Sequence, residues 1–226
     1  MPLFLINLFG SASIGVYSLA TDRMMIVPPQ THEKKVRNLE EWLKVDVIRT
    51  TIGESVLVGA LACANSNGVV LPHSVREEEV KAIQSTLDIN VMVMETKMTS
   101  YGNLVLANDH GAIVDYRLRD ADLKKIGDAL GVETIRSRIA GMPCVGSLAS
   151  TTNKGVLAHP LLTDDEQQVL MDTLKVHVDA GTINGGIPYV ATGLVANKYG
   201  AVAGSVTTGP ELLIIGQALN VVKENE

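Results

Sequence analysis

The alternation of polar and apolar positions along this chain repeats itself. A short polar turn containing glycine, followed by an apolar run, recurs as ANSNGVVLP (64–72), ANDHGAIV (107–114), TNKGVLAHP (152–160) and ANKYGAVAG (196–204). The turn glycines Gly68, Gly111, Gly155 and Gly200 are 43, 44 and 45 residues apart. A further step of 44 back from Gly68 reaches Met24 in ATDRMMIVPP, which keeps the apolar run and the proline but lacks the glycine. Self-similarity at a fixed period of this length marks an array of supersecondary units.

Helical periodicity follows each turn and closes on a leucine: Leu43, Leu87, Leu130, Leu174 and Leu219. Four residues earlier stand Leu39, Ile83, Ile126, Leu170 and Ile215, and seven earlier Val36, Val80, Leu123, Gln167 and Leu212. Such a stripe is one buried helix face, broken once by Gln167. Ser74 with Glu77, Thr163 with Glu166 and Thr208 with Glu211 read as capping boxes. Pro210 falls in a first turn, where its missing N–H is harmless.

Ahead of each glycine turn lie two stretches of strand character, such as VDVIRTTI (45–52) then VLVGALACA (56–64), or INVMVMETK (89–97) then NLVLA (103–107), and the turn leads into a third. The expected fold class is therefore α/β, a single domain of five units, each of about three strands and one helix. Their bounds are 1–44, 45–88, 89–131, 132–175 and 176–226. No unit can bury its apolar faces alone, so neighbours must pack side by side. An open stack needs polar ends, yet GPELLIIGQALNVV (209–222) is strongly apolar. The units are predicted to close into a ring, with strands around the axis, helices outside, and the N-terminal strand beside Val221–Lys223 at a seam.

Composition narrows the function. Of 226 residues 46% are apolar and 19% charged, enough for a sizeable core. The start, MPLFLINLFGSASIGVYSLA, has no basic region before its apolar stretch, and no apolar run reaches membrane-spanning length. A soluble, cytoplasmic protein without membrane association is expected. Cys63 and Cys144 are too few for a disulfide framework and read as buried thiols in a reducing compartment. A formal charge of −6 and a pI near 5.4 argue against affinity built on neutralising many phosphates. Two Phe, five Tyr and one Trp leave little for stacking along a single strand. An acidic chain with a ribonucleoprotein partner should dock on that partner's basic protein surface.

Candidate chemistry is sparse. His32, His73, His110, His159 and His177 show no metal-ligand spacing, and neither a metal nor a cofactor is expected. Asp164, Asp165 and Glu166 open a helix, where the dipole favours acidic residues. The repeat glycines read as turns that need positive φ or tight packing.

The blocks SIGV (13–16), TTIGESVLVGA (50–60), YGNLVLAND (101–109), VGSLASTTNKGVLAHP (145–160), GTINGG (181–186) and TTGPELLII (207–215) fall in all five units. Together and in this order they resemble the translation initiation factor 6 family. The unit length and helix count resemble the pentein fold, a five-fold β/α propeller. The resemblance implies a monomeric, non-catalytic factor on the subunit-joining face of the ribosomal large subunit, where it blocks premature joining of the small subunit and serves in subunit biogenesis. It implies docking on a basic ribosomal protein beside the sarcin-ricin loop, with limited ribosomal RNA contact. The end at Glu226, without a long Ser-rich tail, looks archaeal.

Five loops joining the leading strands should gather on one face around the axis: GSAS (10–13), GES (53–55), TSYGN (99–103), AGMPC (140–144) and NGGIPY (184–189). They contain residues that a plain turn does not need, namely Tyr101, Met142, Pro143, Ile187, Pro188 and Tyr189. The candidate ribosome-binding residues are Ser11, Ser13, Gly53, Glu54, Ser55, Tyr101, Gly102, Asn103, Met142, Pro143, Asn184, Gly185 and Tyr189. The family resemblance singles out Asn103. Two other readings compete. Some penteins modify guanidino groups with a Cys nucleophile in the last unit, but residues 176–226 contain no cysteine. A scaffold for proteins off the ribosome would use the same loop face.

Overall fold

In a computed structural model, which describes residues 2–86 and 88–220, the repeat is visible as a recurring order of elements. Strand β1 (Leu3–Ile6) is followed by a one-turn helix α1 (Ile14–Tyr17), a two-residue strand β2 (Leu19–Ala20), β3 (Met24–Val27), the long helix α2 (Glu33–Leu43) and β4 (Asp46–Arg49). The second cycle runs α3 (Val58–Leu61), β5 (Cys63–Ala64), β6 (Gly68–Pro72), α4 (Glu77–Thr86) and β7 (Asn90–Met94). The third runs α5 (Tyr101–Leu104), β8 (Val105–Ala107), β9 (Gly111–Asp115), α6 (Asp120–Leu130) and β10 (Glu133–Ser137). The fourth runs α7 (Val145–Leu148), β11 (Ala149–Thr151), β12 (Gly155–Ala158), α8 (Asp164–Leu174) and β13 (His177–Ala180). The fifth has a 3-10 turn at Val190–Thr192, then β14 (Leu194–Ala196), β15 (Ala201–Gly204) and α9 (Gly209–Ala218).

One expectation changes here. The second apolar stretch of each unit, read as a strand, begins as a single helical turn and becomes strand only for its last two or three residues. The sheets also interlock across the unit bounds. Each has three strands: β2-β3-β4, β5-β6-β7, β8-β9-β10, β11-β12-β13 and β14-β15-β1. In four of the sheets the strand after the long helix returns parallel to the strand before it, as β4 does on β3. In the fifth sheet that place is taken by β1, parallel to β15 with Leu3 opposite Ala201 and Ile6 opposite Gly204. The expected placing of the N-terminal strand beside Val221–Lys223 involves a segment that lies outside the described residues.

Among the described residues no hydrogen-bonded sheet closes on itself, but the contacts between units do come full circle. β2 touches β5, β5 touches β8, β8 touches β11, β11 touches β14, and β14 touches β2. The short helices α1, α3, α5 and α7 and the 3-10 turn form a second such cycle. Around the axis these elements leave a cavity of about 100 Å³, lined mainly by Gly, Ala and Ser.

Close approach of backbones explains the glycines. Those of the repeat turns do not have positive φ. A Cβ on Gly68, Gly111, Gly155 or Gly200 would lie 2.0, 2.2, 1.8 or 2.4 Å from the carbonyl oxygen of Ala129, Thr173, Ala218 or Trp42, each in the next unit's helix. Of the two reasons considered for these residues, tight packing is the operative one.

The helical stripe behaves as its periodicity predicts. Leu39, Ile83, Ile126, Leu170 and Ile215 are fully buried, as are Leu43, Leu130, Leu174 and Leu219, whereas Leu87 lies outside the described residues. Each such side chain contributes about 2 kcal/mol of transfer free energy. Gln167 is half-buried, and its amide donates to Val178 O at 2.7 Å, so the polar break in the stripe is satisfied. Capping boxes form at Thr163/Glu166 and Thr208/Glu211. The Ser74/Glu77 box does not, because α4 starts two residues later than that pairing requires. Arg76 N–H donates instead to Glu79 at 2.8 Å.

Side chains of the glycine turns lock one face of the ring. Asn65 Nδ2 donates to Asn108 O and Leu130 O, Asn108 Nδ2 to Thr152 O and Leu174 O, and Asn197 Nδ2 to Thr21 O and Leu43 O. Arg23 bridges to Ser66 O and Asp88 O. One residue further along each turn, Ser66 bonds Asp109, Asn153 bonds both Asp109 and Asp22, and Lys198 N–H donates to Asp22.

Candidate functional site: the loop face

The opposite face is built where the parallel strands end. In units one, two and four the chain turns through two residues of positive φ, Phe9–Gly10, Gly53–Glu54 and Ala140–Gly141, closed by the bridges Leu8–Ser11, Ile52–Ser55 and Ile139–Met142. Positive φ at both central positions is the signature of a type I′ hairpin turn. Unit five uses three such residues, Asn184, Gly185 and Gly186, between Ile183 and Ile187.

Main-chain N–H groups at the tips of three of these turns meet a carboxylate. The acids are Glu79, Glu166 and Glu211, each the third residue of a long helix. Glu79 accepts from Gly53 N at 2.7 Å and Glu54 N at 2.9 Å, and Glu166 from Ala140 N and Gly141 N, both at 2.8 Å. Glu211 accepts from Gly185 N at 2.9 Å, Gly186 N at 2.8 Å and Thr182 Oγ1 at 2.8 Å. Burial would raise the pKa of each acid, but the donors prevail and all three are lowered, Glu211 to about 2. One residue type thus caps the helix and fixes the loop. This second role is not visible in the capping pattern, since it depends on a turn about 25 residues upstream.

The expected site residues divide by environment. Gly53, Glu54 and Gly185 belong to the pinned turns, and Glu54 Oε2 also meets Arg76 at 2.8 Å. Ser11 Oγ accepts from Ser13 N, and Ser55 Oγ from Leu57 N, so these hydroxyls shape their loops. Tyr189 and Ile187 are 45% exposed, as their loop position suggests. Pro143 is half-buried.

Four positions depart from expectation. Tyr101 is fully buried, with its hydroxyl 2.6 Å from Thr96 Oγ1, because unit three turns into a helix there and directs the ring to the core. Met142 packs partly against the unit-four core. Gly102 is a spacing element, since a Cβ would lie 1.9 Å from Gly59 O. Asn184 is consumed in structure: Nδ2 donates to Ala12 O at 2.9 Å and Oδ1 accepts from Thr207, tying unit five to unit one.

Asn103 sits at the loop-face mouth of the axis. It occupies the same place in its unit as Val16, Ala60, Ser147 and Thr192, which surround the mouth with it. Its N–H donates to Ser100 O at 2.9 Å, while its half-exposed side-chain amide has no hydrogen-bond partner among the described residues.

Sequence reasoning missed an apolar arc across units four, five and one. Leu161 is 72% exposed, Val206 57% and Phe9 45%. Phe9 leans on Tyr17 with ring centroids 5.2 Å apart, and Tyr189 stands edge-on to His159 at 6.2 Å. His159 is buried and accepts from Leu161 N through Nδ1 at 3.1 Å, and that burial lowers its pKa. Phe9 directly precedes the GSAS segment, so one more residue in the loop assignment would have found it.

Burial pushes the Cys63 thiol up to about 12, and Cys144 lies with Sγ 3.3 Å from Arg117. Among the described residues no cluster of three or more His, Cys, Asp or Glu is placed to hold a metal ion, and no helix is long and apolar enough to cross a membrane.

Comparison with known proteins adds a family to this geometry. The sequence model that matches residues 3–218 describes the eIF-6 family. Translation initiation factor 6 of Pyrococcus horikoshii is 42% identical over 217 residues, covering 94% of this chain and 96% of that protein. Its namesake in Methanocaldococcus jannaschii is 42% identical over 219 residues, with 94% and 96% covered, and that of Staphylothermus marinus 37% over 223 residues, with 97% and 98% covered. Identity at this level across all five units, on a ring of five interlocked sheets, means that the chain belongs to the eIF-6 family.

Proposed function

We propose that this translation initiation factor binds the ribosomal large subunit through its loop face, prevents premature association with the small subunit, and takes part in large-subunit biogenesis. The observation that carries the reading is the contrast between the two faces. The glycine-turn face spends its polar side chains on inter-unit bonds. The loop face holds three of its turns rigid through helix carboxylates and presents Phe9, Ile187, Tyr189 and the free amide of Asn103. Rigid loops bearing aromatic and polar groups are suited to docking, because little conformational entropy is lost on binding. The chain's charge of −6 favours a basic ribosomal protein beside the sarcin-ricin loop as the main contact, with ribosomal RNA contributing little. The factor acts as a cytoplasmic monomer, without catalysis or cofactor.

Sedimentation tests this reading. The protein should travel with free large subunits and be absent from joined ribosomes, and an excess should lower the joined fraction without nucleotide hydrolysis. Equal occupancy of joined ribosomes would refute it.

A further inference from the structure

Unit three breaks the pattern that rigidifies the loop face. The third residue of α6 is Asp122, and its shorter side chain turns to Arg119, with Nε–Oδ2 at 2.8 Å and Nη2–Oδ1 at 3.0 Å. Loop 95–100 is therefore not drawn down onto a helix N-terminus as its counterparts in units two, four and five are. It stands away from segment 117–122 and leaves a cleft of about 700 Å³ between them, within the ~300–1,000 Å³ typical of ligand-sized sites.

The floor of this cleft is apolar. Leu118 is buried there, and Met98 is partly buried against the unit-three core. Its outer surface is cationic. Lys97 has no ion-pair partner among the described residues, while Arg117 and Arg119 are 40% and 73% exposed. The carboxylates that hold these arginines, Asp115 and Asp122, are buried beneath them. Each arginine uses Nε and Nη2 on its carboxylate, which leaves Nη1 without a hydrogen-bond partner among the described residues. Glu95 is the one exposed acid in the lining. A cationic rim over an apolar floor stands out on a chain of net charge −6.

We propose that this cleft docks an acidic segment of a partner protein that carries one or two apolar anchor residues. The anchor displaces water from the floor, and carboxylates flanking it pair with Lys97, Arg117 and Arg119. Single-stranded nucleic acid fits less well. Three cations are few for a phosphate backbone, and the lining offers a single ring for base stacking, that of His73, since Tyr101 is fully buried. The proposal is independent of docking to the large subunit, whose expected contact is basic.

Fluorescence polarisation on the whole protein tests it. The probe is a labelled ten-residue peptide of glutamates flanking a central leucine–phenylalanine pair. The comparison ligands are the same peptide with lysine for glutamate, the same peptide with serines for the apolar pair, and a ten-nucleotide single-stranded RNA. The acidic apolar peptide should bind at least tenfold more tightly than each of the three, and more weakly as salt rises. Lys97→Glu and Met98→Asp, each checked for an unchanged melting temperature, should each weaken it about tenfold or more. The proposal fails if the peptide does not bind, if the RNA binds as tightly, or if neither substitution alters peptide binding. Arg119→Lys supplies a second variant that keeps the charge, and it should retain most of the affinity.

Discussion

Asn197 Nδ2 donates to the main-chain oxygen of Thr21 at 3.0 Å, joining the last unit to the first across 176 residues. The same amide donates to Leu43 O at 2.8 Å, and Oδ1 accepts from Tyr199 N and Gly200 N. Both donors and both lone-pair sites of the side chain are thereby used, in a position 2% exposed. Asn65 and Asn108 repeat this bonding within the chain, and Thr21 and Thr152 stand in their place where the amide is missing.

Asn197→Ala should leave two carbonyls and two N–H groups unpaired in the interior. The expected loss is about 3 kcal/mol or more, and a fall in melting temperature of roughly 10 °C. Asn197→Thr, which keeps an acceptor for the turn as Thr152 does, should cost less. The transition is expected to remain one cooperative step, as for a single domain; two resolved steps in calorimetry would show that the units melt separately.

Removing residues 1–7 should be more damaging than removing 221–226. The first deletion strips β1 from β15 and exposes a sheet edge between Ala201 and Gly204. Comparing the melting temperatures and aggregation of the two truncated chains checks this directly.

Gly155→Ala should be strongly destabilising, although Ala is the mildest replacement available. The added methyl would lie 1.8 Å from Ala218 O, so backbone must move, at a cost of about 3 kcal/mol. Gly10→Ala meets nothing within 4 Å and carries only the strain of its φ of +77°, so it should cost distinctly less in the same urea titration.

Glu211 links stability to pH. Its folded pKa of about 2 lies below the ordinary carboxylate value of 4.5. The stabilisation is therefore complete above about pH 4.5 and is lost as pH falls through the folded value, for a total on the order of 3 kcal/mol. Glu211→Gln should remove most of it at neutral pH and flatten the acid limb of the stability curve. An unchanged limb would show that Thr182, Gly185, Gly186 and Thr208 do not rely on the charge.

Asn103→Ala should weaken large-subunit binding by roughly tenfold or more, about 1.4 kcal/mol, with circular dichroism and melting near wild type. The control is Lys154→Ala, exposed in a glycine turn on the opposite face. Binding that drops equally in both variants would locate the contact elsewhere. Tyr101→Phe, by contrast, loses the bond to Thr96 and should act on stability, since its ring is buried.

The repeat period, the five long helices and their buried stripe are local properties, carried by residues three to seven apart, and they can be read without knowing what packs on what. The position of the loop face follows from the same period. Two capping boxes are equally local, though the structure shows that Glu166 and Glu211 also hold distant turns. Tertiary structure decided what depends on neighbours. VGAL and YGNL have the composition of apolar strands, yet the closeness of the adjoining unit's backbone to Gly59 and Gly102 fixes each as one helical turn, and in unit three this swings Tyr101 inward. The pairing of β1 with β15, at the far end of the chain, leaves no local trace in the sequence. Asn103 kept a free amide, and Asn184 did not, because only Asn184 lies within reach of Thr207 and Ala12. A sequence records the periodicity of a unit, whereas the burial of a side chain is set by the units on either side of it.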